Sequence, residues 1–346
     1  MSLNTPFLLN AWYAAAWDYE VGDKPLARML LGTRVALYRR GDGEYAALED
    51  RCAHRLVPLS CGRVEGDTLE CAYHGLRFDA AGQCVTNPHG PIPTAARVKS
   101  FAARQRHGMV WIWLGDAALA DDGAIPDFGF MDDDALNARR IRGHMHTRAG
   151  YTLMADNILD LGHIEFLHGG TLGTEAVRKA PTQVREEGDS IIVEREIENE
   201  ILPEFMSREY GCVGLPVRRL LSVRWQAPAN LKITISVAPM GGEAETRSNY
   251  SCHLMTPETL TTTHYFWANT RLGNPSEALD AAKRRGLESV FSQEDKPIVE
   301  AQQKNIDVDG PDAAPPALLT VDRGIVRSRR RLNDLLKQAS GAARVS

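Results

Sequence analysis

The sequence predicts an α+β protein in which a small all-β domain precedes a larger domain of mixed helices and strands. From Arg28 to about Gly115, short alternating runs of apolar and polar residues are broken by turn residues. Strand-like runs then follow a helical segment, and two long charged helical patterns occupy the last part of the chain. This order of elements is typical of an α+β fold.

The clearest strands of the first half form a predicted hairpin. Arg34 to Arg40 and Glu44 to Leu48 are the strands, and Gly41-Asp42-Gly43 supplies the turn. The last strand of this domain is predicted at Met109 to Leu114, where the sequence is MVWIWL. We therefore expect a β domain that ends near Gly115.

The length of the chain agrees with two domains. Its 346 residues are about twice the usual ~150 residues of one domain. The stretch from Asp116 to Pro126 is rich in Ala, Asp and Gly, which is typical of a linker. We therefore predict domains at residues 1–125 and 126–346.

The second half alternates between the two kinds of element. Strands are predicted at Ser190 to Glu196, Leu220 to Trp225, Lys232 to Val237 and Thr262 to Trp267. Helices are predicted around Tyr151 to His168, at Glu277 to Ile306 and at Arg323 to Gln338, from their length and charge pattern.

Composition excludes several classes of function. The net charge is -5 and no basic patch with interleaved aromatic residues occurs, so we expect no nucleic-acid partner. No apolar run approaches ~20 residues, and no basic residue precedes Lys24, so we expect neither a membrane span nor a signal peptide. The expected location is the cytoplasm, where six cysteines point to metal binding rather than disulfides.

Two Cys-His pairs form the first chemical motif. Cys52-Ala53-His54 is followed after 16 residues by Cys71-Ala72-Tyr73-His74. Each pair can offer two ligands from one β-turn, and two such turns give two cysteines and two histidines around one centre. A structural zinc in an interaction module is the alternative, but zinc fingers take both cysteines from one turn. The pattern favours a Rieske 2Fe-2S cluster, with cysteines on one iron and histidines on the other.

The segment NILDLGHIEFLH contains the second motif. Asn157, Asp160 and His163 follow at steps of three and share one face of a helix. His168 lies five residues beyond His163, about 140° around an ideal helix, so both bind one metal only where the helix widens or ends. Gly162 favours such a distortion.

A mononuclear iron site fits this second motif. A redox cluster needs an acceptor for its electrons, and two histidines with one carboxylate form the usual non-haem Fe(II) site. Such a site leaves coordination positions open on the iron, where a water ligand can leave and dioxygen can bind. Spacing alone leaves the carboxylate open among Glu165, Glu294 and Asp295.

The segment RCAHRLVPLSCGRVEGDTLECAYHGLRFDAAGQC resembles the Rieske domain of ring-hydroxylating and O-demethylating oxygenases. From Trp12 to Leu335 the chain resembles the vanillate O-demethylase and dicamba monooxygenase branch of the Rieske non-haem iron oxygenases. This resemblance implies an N-terminal Rieske β domain and a C-terminal helix-grip catalytic domain of α+β type. It implies that the 2Fe-2S cluster is bound by Cys52, His54, Cys71 and His74.

The same resemblance assigns the second site. It implies that His163, His168 and Asp295 bind the mononuclear iron, because Asp295 in the segment SQEDK matches the family position. It also implies that Asn157 lines this site and that Asp160 bridges toward the Rieske centre. The implied reaction uses dioxygen to hydroxylate, or oxidatively O- or N-demethylate, a small substrate, for which an aromatic acid is the leading expectation.

Electrons must come from a partner. No G-x-G-x-x-G motif follows a predicted strand, so we expect a separate reductase or ferredoxin that supplies electrons from NAD(P)H. The resemblance further implies a homotrimer in which Asp160 connects His74 of one subunit to His163 of its neighbour. Asp160 lies one helical turn before His163, so we expect its carboxylate to hold the ring N–H that the iron leaves free.

Substrate recognition is less constrained. His253 falls where relatives have a pocket residue, and it can hydrogen-bond a carboxylate or phenol, although a histidine on a strand face explains it equally well. Ile233 and Gly286 stand where the dicamba-degrading relative carries polar and aromatic pocket residues, so its substrate does not transfer. The alternative function is a Rieske electron-transfer or ligand-binding protein without oxygenase activity. The complete set of predicted iron-site residues argues against it.

Overall fold

The computed structural model describes residues 7–137, 140–169, 171–240, 245–273, 276–310 and 316–342. They form two compact units. One comprises residues 7–127 together with Thr256–Thr259, and the other comprises the remaining described residues from Phe128 onward. No helix in these ranges is long and apolar enough to cross a membrane.

The first unit consists of short strands in two sheets. The strands are β1 Trp12–Trp17, β2 Leu26–Leu30, β3 Thr33–Arg39, β4 Tyr45–Glu49, β5 Arg63–Glu65, β6 Thr68–Glu70, β7 Arg77–Phe78, β8 Cys84–Thr86, β9 Ser100–Arg106 and β10 Met109–Trp113. The larger sheet has the order β1-β10-β9-β4-β3-β2, and the smaller has the order β5-β6-β7-β8. The predicted hairpin is confirmed as β3 and β4, whose turn contains Gly43 at φ 92°.

The smaller sheet carries its own apolar core. Leu69 and Phe78 are fully buried there, and the side chains of Cys52 and Cys71 pack in the same cluster. Burial of both cysteines in one core brings the two Cys-His segments together.

The second unit is built on a seven-stranded sheet. Its strands are β11 Arg140–Thr147, β12 Gln183–Glu187, β13 Ser190–Ile201, β14 Pro216–Gln226, β15 Asn230–Pro239, β16 Arg247–Pro257 and β17 Thr263–Thr270. They follow the order β11-β17-β16-β15-β14-β13-β12. The sequence predicted β13, β14, β15 and β17 but missed β11, β12 and β16. The run of β16, RSNYSCHLMTP, is polar and nonetheless mostly buried.

Helices complete this unit. They are α1 Asp134–Asn137, α2 Tyr151–Leu159, α3 Ile164–Leu167, α4 Glu175–Lys179, α5 Glu204–Tyr210, α6 Glu277–Ser289, α7 Lys296–Asp309 and α8 Arg323–Ala342. Helix α2 packs between strands β14 and β15 and helices α7 and α8. This placement fixes the helix that carries the first residues of the second motif, including Asn157.

The predicted helical segment around Tyr151 to His168 is divided into two helices at the place where a distortion was expected, beside Gly162. Helix α2 ends at Leu159 and helix α3 begins at Ile164, so His163 and His168 flank a single turn. The Asp160 carboxylate accepts a hydrogen bond from the Gly162 N–H at 2.7 Å. A local side-chain bond of this kind replaces a helical bond and ends the helix.

The predicted helix from Glu277 to Ile306 is interrupted by a widened turn. A π-helical turn at Val290–Asp295 joins α6 to α7. Pro297 stands at the start of α7 and has no N–H to donate to the preceding turn, which favours a wider hydrogen-bond spacing there. The turn sets the direction in which Asp295 points.

Candidate metal centres

Two loops of matching geometry carry the Cys-His pairs. In the first, the N–H of Cys52 donates to Val57 O and the N–H of Leu56 donates to Cys52 O. In the second, the N–H of Cys71 donates to Leu76 O and the N–H of Gly75 donates to Cys71 O. The residue four places after each cysteine has positive φ, 61° at Leu56 and 68° at Gly75. The two loops therefore present their side chains in equivalent ways.

The loops place the four predicted ligands at two depths, with the cysteines buried and the histidines nearer the surface. Cys52 and Cys71 are each 2% exposed, whereas His54 lies at the surface and His74 is partly exposed. The rings of His54 and His74 have centroids 4.5 Å apart. Burial raises the pKa of the Cys52 thiol to about 11. Two adjacent buried thiols of this kind lose their protons readily only to a metal, which takes the thiolate form.

The chemistry of this donor set fits a Rieske cluster. The Nδ1 atom of His74 is buried and has no hydrogen-bond partner in the part of the chain that the structure describes. A buried ring nitrogen is costly to leave unbonded, and metal ligation satisfies it. Two soft thiolates below and two imidazoles above match the two kinds of iron in such a cluster.

The second centre is a triangle of three side chains. The Nε2 atoms of His163 and His168 are 3.1 Å apart, and Asp295 Oδ1 lies 3.6 Å from the first and 3.2 Å from the second. Three atoms bound at about 2.1 Å and right angles to one ion lie about 3.0 Å apart. Among the described residues, this is the one group of three or more His, Cys, Asp or Glu that meets the distance requirement for a metal site.

Outer hydrogen bonds hold both rings in the orientation that a metal needs. The Nδ1–H of His163 donates to the main-chain carbonyl of Asp160 at 2.5 Å, and that of His168 donates to Glu294 Oε2 at 2.6 Å. This tautomer leaves both Nε2 lone pairs directed at Asp295. Burial opposes the charged form of His168, but the Asp295 and Glu294 carboxylates outweigh it and raise the His168 pKa.

The three candidate carboxylates occupy different positions. Asp295 is 5% exposed and directs Oδ1 at both histidines. Glu294 binds the far side of the His168 ring, and Glu165 forms an ion pair with Arg178 at 2.6 Å. The amide of Asn157 donates to Asp295 Oδ1 at 3.1 Å, which places Asn157 beside this group of side chains.

The expected bond between the Asp160 carboxylate and the His163 ring is wrong. The main-chain carbonyl of Asp160 takes the ring N–H, whereas its Oδ2 atom lies 3.9 Å from His163 Nδ1. The physical reason is the end of helix α2, which releases this carbonyl from helical bonding and turns the carboxylate to Gly162. The Asp160 side chain remains 28% exposed and able to accept a further bond.

Two arginines that the sequence interpretation missed bind the chain segment from Asp156 to Leu161, which leads to His163. Arg195, 2% exposed, donates to Leu161 O at 3.0 Å and Val177 O at 2.8 Å. Arg329 of α8 forms a two-pronged ion pair with Asp156 of α2, with the closest contact at 2.7 Å. A charged residue at an inward position of the alternating β13 pattern was the available signal for Arg195.

His253 lines a cavity in the same unit. Both of its ring nitrogens bond within the protein, Nε2 with Ser251 Oγ at 3.0 Å and Nδ1 with Tyr265 Oη at 2.6 Å. Burial lowers the pKa of His253 to about 4, so its ring is neutral at physiological pH. Ile233 also lines the cavity, and Phe205 lies 3.6 Å from the position of a Cβ on Gly286.

Comparison with known proteins identifies both halves of the chain. Residues 11–101 match the Rieske [2Fe-2S] domain, and residues 147–338 match the vanillate O-demethylase oxygenase C-terminal domain. The oxygenase component of chloroacetanilide N-alkylformylase from Rhizorhabdus wittichii is 39% identical over 98% of each chain. The oxygenase component of dicamba O-demethylase from Stenotrophomonas maltophilia is 38% identical over 95% of this chain and 98% of that protein.

Solved structures agree with the sequence relatives. The crystal structure of dicamba monooxygenase bound to 3,6-dichlorosalicylic acid superposes with a TM-score of 0.91 at 36% identity, and covers 96% of this chain and 98% of that one. The α+β fold with an N-terminal Rieske domain is thereby confirmed. The chain belongs to the Rieske non-haem iron oxygenases, in the branch of the vanillate O-demethylase and dicamba monooxygenase oxygenase components.

Proposed function

We propose that this protein O- or N-dealkylates a small aromatic substrate with dioxygen, using a cluster bound by Cys52, His54, Cys71 and His74. The iron site is proposed at His163, His168 and Asp295. The convergence of these three side chains within 3.6 Å is the observation that carries the proposal. Relatives named for demethylation of vanillate and dicamba, and for N-alkyl chemistry on chloroacetanilides, support the reaction class.

The protein's own residues prepare the site. A bound Fe(II) would supply the activation of dioxygen. Asp160 and Glu294 keep the two ring N–H groups occupied, so that neither histidine can rotate away from the site. Asn157 holds Asp295 Oδ1 and thereby limits the carboxylate to one orientation.

We propose a homotrimer in which Asp160 of one subunit hydrogen-bonds the Rieske histidine His74 of the next. Exposed apolar side chains support this assembly, because Leu56 and Tyr73, which flank the Rieske histidines, are 59% and 55% exposed. Phe166, between the two iron-site histidines in sequence, is 78% exposed. Head-to-tail contacts related by a rotation of about 120° close into a three-membered ring, which is the arrangement proposed here.

Asp160→Asn tests the bridge. The substitution removes a charge with little change in shape, so both metals and the trimer should persist while reoxidation of the reduced cluster slows by at least tenfold. Stopped-flow absorbance of the cluster gives the rate, and light scattering gives the mass. A monomeric wild type, or an Asp160→Asn protein with full turnover, would contradict the assembly.

A separate reductase or ferredoxin is proposed as the electron donor from NAD(P)H, in keeping with the names of relatives as oxygenase components of larger systems. We place the protein in the cytoplasm, where thiols remain reduced.

The experiment that tests the function supplies purified protein with a reductase, NADH and a panel of methoxy- and N-methyl-substituted aromatic compounds. Formaldehyde and the dealkylated product are expected from at least one compound, in equal amounts, and Asp295→Ala should form neither. A protein that the reductase reduces, but that consumes no oxygen with any member, would instead be an electron-transfer or ligand-binding protein.

A further inference from the structure

The cavity beside the iron site is small and mostly apolar. Its volume is about 110 Å³, and Leu172, Phe205, Ile233, Trp267 and Phe291 form much of its wall. Phe291 lies on the same π-helical turn as Asp295, which places the cavity next to the proposed iron ligands. A cavity of about 150 Å³ holds one benzene ring, so this smaller volume limits a ligand to at most one aromatic ring.

The charges at the cavity wall cancel. Lys283 is the one lysine or arginine among the described lining residues, and its Nζ is 2.6 Å from Glu209 Oε1, which also lines the cavity. Their side chains are only 7% and 13% exposed. The Leu272 N–H donates to the same Glu209 oxygen, which fixes the carboxylate in place. A buried lysine neutralised in this way offers little net attraction to an anion.

The ion pair behind this wall cancels in the same way. Arg271 binds Asp280 with side chains 6% and 26% exposed. Both are close enough to influence the Lys283 pKa, which burial lowers and Glu209 raises. The two positive and two negative side chains of these two ion pairs therefore carry no net charge at this end of the cavity. An aromatic carboxylate placed here would be buried without a counter-ion, and Glu209 would repel it.

A chain of hydrogen bonds points a neutral donor at the cavity. The imidazole of His253 joins two hydroxyl groups. Its Nδ1 bonds Tyr265 Oη at 2.6 Å, and its Nε2 bonds Ser251 Oγ at 3.0 Å. Tyr265 is fully buried, so its hydroxyl proton needs an acceptor within the protein. Among these groups, His253 Nδ1 is that acceptor, and the Tyr265 hydroxyl therefore donates to it. Nε2–H then donates to Ser251, whose own hydroxyl proton remains for a ligand.

The other polar lining residues bond mainly to one another. Asn249 and Asn269 exchange side-chain amide bonds of 3.3 and 3.2 Å, and the Asn249 amide also donates to Thr270 O. Lys283 donates to Thr270 O at 3.1 Å as well as to Glu209. The wall thus satisfies most of its polar groups internally, and Ser251 is placed to bond a ligand oxygen.

We propose that the substrate is an uncharged, single-ring aromatic compound whose carbonyl or ether oxygen accepts a hydrogen bond from Ser251, and that aromatic carboxylates are excluded. This inference rests on the proposed function, since it names the substrate class of that site. It replaces the aromatic acid that the sequence alone favours. His253 then acts as a positioning residue, because it reaches the ligand through Ser251.

A matched pair of ligands tests the proposal. 3-Methoxybenzamide and 3-methoxybenzoate have nearly the same shape, but only the second is an anion at neutral pH. Calorimetric titration of the anaerobic, iron-loaded protein should give an amide dissociation constant at least tenfold below that of the acid. Equal affinity, tighter binding of the acid, or binding of neither ligand would overturn the inference.

Glu209→Gln should change this preference. The amide side chain keeps the shape but leaves the Lys283 charge uncompensated, so affinity for 3-methoxybenzoate should rise at least fivefold. Glu204→Gln, on the same helix α5 but in an exposed pair with Arg208, should leave both affinities unchanged. An unaltered ratio in a folded Glu209→Gln protein would contradict the charge argument. If this variant does not fold, the wild-type comparison decides.

Ser251→Ala tests the hydrogen bond separately. Binding of 3-methoxybenzamide should weaken about fivefold or more, whereas Ser251→Thr, which keeps the hydroxyl, should retain more of the affinity than Ser251→Ala. An unchanged amide affinity in Ser251→Ala would remove Ser251 from the proposal. Because binding is measured without turnover, a protein that binds the amide yet oxidises nothing contradicts the proposed function and leaves this inference intact.

Discussion

The two metal centres are built in opposite ways. The Cys-His centre takes all of its proposed ligands from two loops of matching hydrogen-bond pattern, each only a few residues long. The His-His-Asp centre joins side chains from segments far apart, as the bond between Asn157 and Asp295 across 138 positions shows. The first is a local structure used twice, and the second depends on how helices α2, α3 and α7 pack. Substitutions should therefore affect the two centres separately.

The largest effect is expected from loss of a cluster ligand. Cys71→Ser should abolish the 2Fe-2S cluster and all reductase-driven turnover, because an alkoxide at this buried position is a poor replacement for thiolate. Acid-labile sulfide and the electron paramagnetic resonance signal of the reduced cluster measure the loss. Cys84→Ser is the control, since Cys84 lies in the same core but outside the two loops, and it should retain sulfide.

A smaller and selective effect is expected at Gly173. A Cβ at this position would lie 2.2 Å from the carbonyl oxygen of Ile164, so alanine must displace helix α3 between the two histidines. Gly173→Ala should lose the mononuclear iron and retain the cluster, as iron and sulfide assays would show. Gly22→Ala, where a Cβ meets no atom within 4 Å, should keep both. A fully loaded Gly173→Ala protein would mean that α3 tolerates movement.

The smallest effect is expected from Arg195→Met. Methionine keeps much of the volume but leaves the carbonyls of Leu161 and Val177 without these donors, which should cost about 1–3 kcal/mol of unfolding free energy. Removal of iron by a chelator should also become faster. Arg185→Met, in an exposed pair with Glu194, should change stability by less than about 0.5 kcal/mol. Equal stability of the two variants would contradict the role of these hydrogen bonds, and an unchanged rate of iron removal would separate Arg195 from the iron site.

The contrast between the centres also explains what the sequence could predict. The Cys-His spacing indicated all four proposed cluster ligands, because ligands within one turn leave a short, regular pattern. No comparable pattern connects His168 to Asp295, and spacing alone left three carboxylates open. The structure distinguishes them by packing, since Glu165 faces Arg178 and Glu294 binds the back of the His168 ring.

Errors in the prediction have the same origin. Periodicity placed Asn157, Asp160 and His163 on one helix, but the Asp160 side chain ends that helix by bonding Gly162. Strand β16 was missed because it carries Ser251, His253 and other polar residues in buried positions. Ser251 and His253 line the cavity, so the deviation from the usual strand pattern marks the cavity that we propose to bind the substrate.

Metal and sulfide analysis of three carboxylate variants tests the central assignment most directly. The wild type should contain about three irons and two acid-labile sulfides per chain. Asp295→Ala should contain about two irons with unchanged sulfide, whereas Glu165→Gln and Glu294→Gln should keep about three irons. Three irons in Asp295→Ala, or loss of the third iron in Glu165→Gln with its retention in Asp295→Ala, would contradict the account.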